Sequence, residues 1–177
     1  MIPGNMTPQQ YANQRTKKQI EKERKYNQVV QVGNTVEKYF PDNPYVITAM
    51  LGNIDVETGG SFDFKQKQYE GGPGYGLFQF DFHKPNYKKY LKRKGLQDSE
   101  DSQVRYVHDS IYGDEQEHLG WGNAKKLREL FASSKDPVEI SDMIVKRFLK
   151  PKKGKEHIDR RREASRMYTM ALTPATN

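Results

Sequence analysis

The 177-residue chain contains no cysteine, which excludes disulfides and thiolate metal sites and leaves the redox compartment open. Its four histidines, His83, His108, His118 and His157, form neither an H-x-H nor an H-E-x-x-H pattern, so no metal site is expected. No apolar run approaches the roughly 20 residues that a membrane-spanning helix needs. The opening MIPGNMTPQQ has neither a basic region nor an apolar one, so no export signal is expected. Apolar residues are scarce throughout, at 34%, and there is a single Trp. This scarcity does not imply disorder, because eleven Tyr and eight Phe supply large surfaces for burial.

Lys and Arg outnumber Asp and Glu by 30 to 23, a formal charge of +7. That balance suits a polyanionic partner, whether nucleic acid, anionic lipid or an acidic wall polymer, and equally a well-solvated surface. The length fits one domain with its own core. Residues 1–27 are polar and rich in Gln and Lys, and read as a flexible or partner-docking tail in which TKKQIEKERK can form a solvated helix. Residues 28–177 read as the domain.

Within the domain the spacing of apolar residues predicts helices near 29–40, 44–57, 85–94, 99–112, 122–133, 137–149 and 155–171. The second is the most informative: Asn43 can cap it, Pro44 suits its first position, and Thr58, Gly59 and Gly60 stop it just after Glu57. Asp136, Pro137 and Glu139 mark another start, with Glu139 placed for a capping box. Residues 61–82, SFDFKQKQYEGGPGYGLFQFDF, mix aromatics with a Gly-Gly-Pro-Gly cluster and favour a short β-hairpin or irregular loop. The fold class expected is mainly α (α+β), with one small β-hairpin region flanking a cleft.

A Glu at a helix end is ordinarily an exposed charge, and Glu57 stands out only by its company. GNIDVETGGSF, followed seventeen residues after Glu57 by GYGLFQFD, resembles the hallmark segments of the phage tail lysozyme family, a GNI-x-x-E-(S/T)-G helix end and a GYGL-x-Q run. An apolar helix before the Glu, a basic helix after the Gln and a further helix at DSQVRYVHDSI follow the order the family shows. More distantly the arrangement is similar to goose-type lysozymes and lytic transglycosylases.

The resemblance implies a lysozyme-like helical domain that cleaves the β-1,4 bond between N-acetylmuramic acid and N-acetylglucosamine in bacterial peptidoglycan, without a cofactor. It implies Glu57 as general acid, and Tyr75 and Gln79 as cleft residues holding sugar substituents. Gly74 and Gly76 would let that strand lie against the glycan. The alternatives are that Tyr75 belongs to the core and that Gln79 caps loop backbone.

In the two-carboxylate scheme a second carboxylate serves hydrolysis by either stereochemical route, and Asp63, six residues beyond Glu57, ranks ahead of Asp81 and Glu70; with none in reach, Glu57 would act alone as acid and then base and leave an anhydro-sugar, as lytic transglycosylases do. Asp81 counts also among the substrate-binding residues. Asp55 points about 200° away from Glu57 around the helix and is set aside. Phe62, Phe64, Tyr69, Phe78, Phe80 and Phe82 divide between core and sugar-packing faces, while Trp121 reads as a core anchor.

Ten basic and three acidic residues between Lys146 and Arg166, including KPKKGK and the triplet Arg160, Arg161 and Arg162, raise the rival of a nucleic-acid-binding helical module. No recognition-helix signature accompanies them, and no specific nucleic acid is expected. A structural virion protein that keeps the fold without activity is the third possibility. The expectation is delivery to the wall in a phage virion, with other tail proteins bound through residues 1–27, or release from the host cytoplasm at lysis.

Overall fold

The computed structural model describes residues 7–68, 71–151, 154 and 156–172, with side chains in the first helix described from Lys17 onward. These residues form α1 (Pro8–Tyr39), α2 (Pro44–Glu57), α3 (Lys84–Lys94), α4 (Glu100–Ile111), the short α5 (Gln116–Leu119), α6 (Trp121–Ser133), α7 (Pro137–Ile144) and α8 (Ile158–Leu172). A π-helical turn, Val145–Leu149, continues α7. Among the described residues no helix is long and apolar enough to cross a membrane.

The core is organised around α2. Val46, Ala49, Met50, Leu51 and Ile54 are buried, and so are Thr48, Gly52 and Asn53 between them, so the helix is enclosed nearly all round. It packs against α8, α7 and α1. Its start is fixed as the sequence predicts: the Asn43 side chain accepts from the Tyr45 N–H at 2.9 Å, with Pro44 in the first turn. The Asn43 amide also donates to the carbonyls of Phe131 and Ser134, tying the helix start to the end of α6.

Three expectations are corrected. The small β-hairpin does not form: among the described residues there is no strand, only one antiparallel bridge between Lys67 and Tyr75. Two backbone bonds, Gln68 N–H to Gly74 and Gly76 N–H to Gln66, flank it. Beyond them side-chain amides replace the ladder. Secondly, the helix expected from residue 29 begins at Pro8, because the polar stretch before it is built from good helix formers, Gln, Lys, Glu and Arg. Residues 17–27 are exposed along its whole circumference. Thirdly, Trp121 is no core anchor: at the first position of α6 it is 64% exposed.

The Asp136 cap of α7 forms, accepting from Val138, but Glu139 closes no box. It accepts from Ser134 Oγ, which in turn accepts from the Asp136 N–H.

Candidate active site

Glu57 is the last residue of α2. The helix stops there because the Thr58 hydroxyl donates back to the Ile54 carbonyl at 2.7 Å and accepts from the Phe62 N–H. Gly59 and Gly60 then turn the chain through positive φ. The Glu57 side chain is left 15% exposed, enough to reach solvent from an otherwise buried position. Burial is the larger influence on its carboxyl and raises the pKa above the ordinary value, while the nearby charge and hydrogen bond of Arg161 pull it down less strongly.

Arg161 was not among the residues expected here. It reaches Glu57 because α2 and α8 lie almost backbone to backbone: a Cβ on Gly52 would fall 2.4 Å from Ser165 Oγ and 2.7 Å from Ser165 N. This close approach carries a row of polar contacts along the two helices. Thr169 donates to Thr48 at 2.8 Å, Arg161 Nη1 donates to Asn53 Oδ1 at 3.1 Å, and Arg161 Nη2 donates to Glu57 Oε1 at 2.8 Å. Tyr168 donates to Asp55 at 3.2 Å, which keeps Asp55 away from Glu57 as the helical angle requires. Of the Arg triplet Arg160 is exposed and Arg161 buried; Arg162, its side chain 40% exposed, pairs with Asp142 at 2.6 Å. The triplet is therefore not a free phosphate-binding stripe. Lys152, Lys153 and Lys155 lie outside the described residues.

Glu57 opens into a cleft of about 510 Å³ whose walls also carry Gln79, Asp81, Phe82, Lys150 and Arg161. Four non-glycine residues among those described have positive φ: Phe62, Gln79, Lys150 and His157. The last three all line this cleft. Strained backbone gathered at one concavity is a mark of a functional site. A larger groove of about 610 Å³ between α1, α2 and α8 is mainly apolar and, among the described residues, contains only Glu37 as an acid. Volume alone therefore does not locate the chemistry.

The expected site residues divide. Glu57, Gln79 and Asp81 share the cleft. Gln79 donates from Nε2 to the carbonyls of Gly76 and Gln66 at 2.9 and 3.1 Å, so its donors brace loop backbone and Oε1 remains as its acceptor. Asp63 is exposed and does not line the cleft; its Oδ1 accepts from the Lys65 N–H at 2.9 Å in a local turn. Tyr75 also lies off the cleft, donating to Asp98 at 2.5 Å; burial, and then this bond, push its pKa well up. Gly74 and Gly76 face glutamines, since Cβ atoms there would meet Gln79 Oε1 at 2.8 Å and Gln103 Oε1 at 2.3 Å.

Of the aromatics, Phe62, Phe78 and Phe80 are buried, whereas Phe82 is 43% exposed with Lys150 Nζ 5.6 Å from its ring centre. Glu70 and Tyr69 lie outside the described residues.

The loop owes its shape to amides. Gln68 Oε1 accepts from the Gly74 N–H. Gln103, reaching in from α4, accepts from Leu77 and donates to Phe64. Gln28 of α1 donates to Phe62.

Residues 43–171 match the family model described as phage tail lysozyme. No curated protein and no solved structure matches the chain. The match begins at the cap of α2 and ends in α8, so it takes in every helix that builds the cleft and leaves α1 outside.

Proposed function

The chain belongs to the phage tail lysozyme family, and on that footing we propose that it is a muramidase cleaving the β-1,4 MurNAc–GlcNAc bond of peptidoglycan. The observation that carries this reading is a mostly buried carboxyl, Glu57, whose pKa burial raises, at the edge of a cleft that holds one further carboxylate, Asp81, among its described residues. A raised pKa favours the protonated form, which can donate to the bridging oxygen as the glycosidic bond breaks. Asp81 replaces Asp63 as the second carboxylate in this reading, because it shares the cleft. Its role is to activate water or to stabilise positive charge developing on the sugar. Gln79 offers an acceptor to a sugar amide, and the exposed face of Phe82 offers a surface on which a pyranose ring packs. The protein acts as a virion component, with residues 17–27 of α1, which are exposed, in its docking segment for other tail proteins.

Mass spectrometry of muropeptides released from purified sacculi tests the reading. Wild-type protein should release fragments, Glu57→Gln should lose at least about a hundredfold, and Asp81→Asn should lose far more than Asp63→Asn. Reducing ends identify a hydrolase; anhydro ends would instead make Glu57 act alone, as acid and then base. No release by the wild type sinks the enzymatic reading.

A further inference from the structure

We infer that Arg161 is a positioning residue that confines the transferable proton of Glu57 to one carboxyl oxygen, Oε2, an inference that rests on the acid role proposed above. A guanidinium can only donate. Glu57 Oε1, 2.8 Å from Arg161 Nη2, therefore presents a lone pair; a carbonyl-type oxygen accepts from a cation better than an O–H oxygen does, so the proton of the neutral acid settles on Oε2.

The guanidinium does not depend on Glu57 for its place. Its Nε donates to the Glu156 carbonyl at 2.6 Å and its Nη1 to Asn53 Oδ1 at 3.1 Å. Asn53 is itself fixed, because its amide donates to the Ala49 carbonyl at 2.9 Å and to Ser141 Oγ at 3.0 Å. A relay from Ser141 through Asn53 to Arg161 thus joins α7, α2 and α8 behind the acid. It sets the carboxyl plane before substrate arrives.

The same arrangement acts on the step itself. Arg161 is 2% exposed, and while Glu57 is neutral its charge faces uncharged acceptors, a costly state for a buried cation. In the step the Oε2–H bond breaks and its proton passes to the bridging glycosidic oxygen. That oxygen takes the electron pair of the breaking C1–O bond and leaves as a hydroxyl. Glu57 becomes a carboxylate paired with Arg161, and the cationic C1 is captured by water, which returns a proton to the site. Donation therefore supplies the buried cation with the partner it lacked.

The test separates positioning from support of the fold. In full-length protein labelled with carboxyl-¹³C glutamate, the Glu57 titration is followed by NMR without substrate in wild type, Arg161→Gln and Arg161→Lys. Asp81, Lys150 and His157, the other ionisable side chains lining the cleft among the described residues, stay unchanged. Glu57 should titrate higher in Arg161→Gln than in wild type, and Arg161→Lys should restore most of the difference. Lysine keeps the charge but lacks the rigid fork, so its kcat should still fall about tenfold or more with KM little changed. An unmoved Glu57 titration in a folded Arg161→Gln, judged by thermal melting, overturns the inference. So does wild-type kcat in Arg161→Lys, a variant that keeps a cation to meet the buried acceptors. The NMR readout stands even if no muropeptides are released, so failure of the muramidase reading is seen separately.

Discussion

His83 is almost fully buried beside the cleft, its ring stacked on Phe148 at 4.4 Å. With the proton on Nε2 it donates to the Phe148 carbonyl at 3.0 Å. Desolvation is the main cause that lowers its pKa from 6.5 to about 4. The unfolded chain therefore takes up a proton below pH 6.5 that the folded chain refuses. Stability from this group is complete above pH 6.5 and is lost as pH falls towards 4, by roughly 3 kcal/mol in all. Urea unfolding of wild type and His83→Gln between pH 7 and 4.5 should show the wild type losing stability more steeply. Parallel curves would disprove the assignment. At this scale the candidacy of Glu57 was legible from the paired GNIDVETGG and GYGLFQF segments, but the contact that Arg161 makes with it was not. Arg161 is 104 positions from Glu57 in sequence, and it sits in a basic triplet that reads as solvated. The signal that could have found it is periodic: Arg161, Ala164, Ser165 and Tyr168 form the buried face of α8.

Helix ends were legible wherever local chemistry fixes them. Asn43 with Pro44, and Asp136 with Pro137, start α2 and α7 as expected, and Gly95 ends α3 in the left-handed conformation. The loop at 61–82 was not, because alternating residues predict extended backbone but do not reveal that glutamine amides will compete for its hydrogen bonds. Those bonds come from as far away as Gln28 and Gln103. The α2–α8 contact was hidden for a similar reason: Gly52 is read as part of a motif, not as the point where two backbones meet. Gly52→Ala should cost roughly 1–3 kcal/mol by overpacking and should lower muropeptide release further by displacing Arg161. Adding Ser165→Gly should not rescue it, because Ser165 N and Cα lie 2.7 and 2.9 Å from the added methyl. Recovery of wild-type melting in the double variant would show that only the hydroxyl obstructs.

Over the whole molecule, the mainly helical fold class and the family were legible in the sequence. The sequence did not show that the polar N-terminal stretch continues the first core helix as one rod. Residues 8–27 add roughly 30 Å of helix at 1.5 Å per residue, and residues 17–27 are all exposed. Removing residues 1–24 keeps Gln28 with its bond to Phe62. The truncated protein should melt within about 2 °C of the full chain, as suits a surface change of roughly 0.5 kcal/mol, and should release muropeptides normally. A collapse of either would make the rod part of the catalytic fold. The glutamine-braced loop, finally, bears on how this protein meets its surroundings. Amides carry no charge to screen and no proton to gain or lose at ordinary pH. The amide contacts that brace the cleft wall do not weaken as ionic strength and acidity change, so within the pH range in which the fold itself holds they add no ionisation of their own to a pH–rate profile.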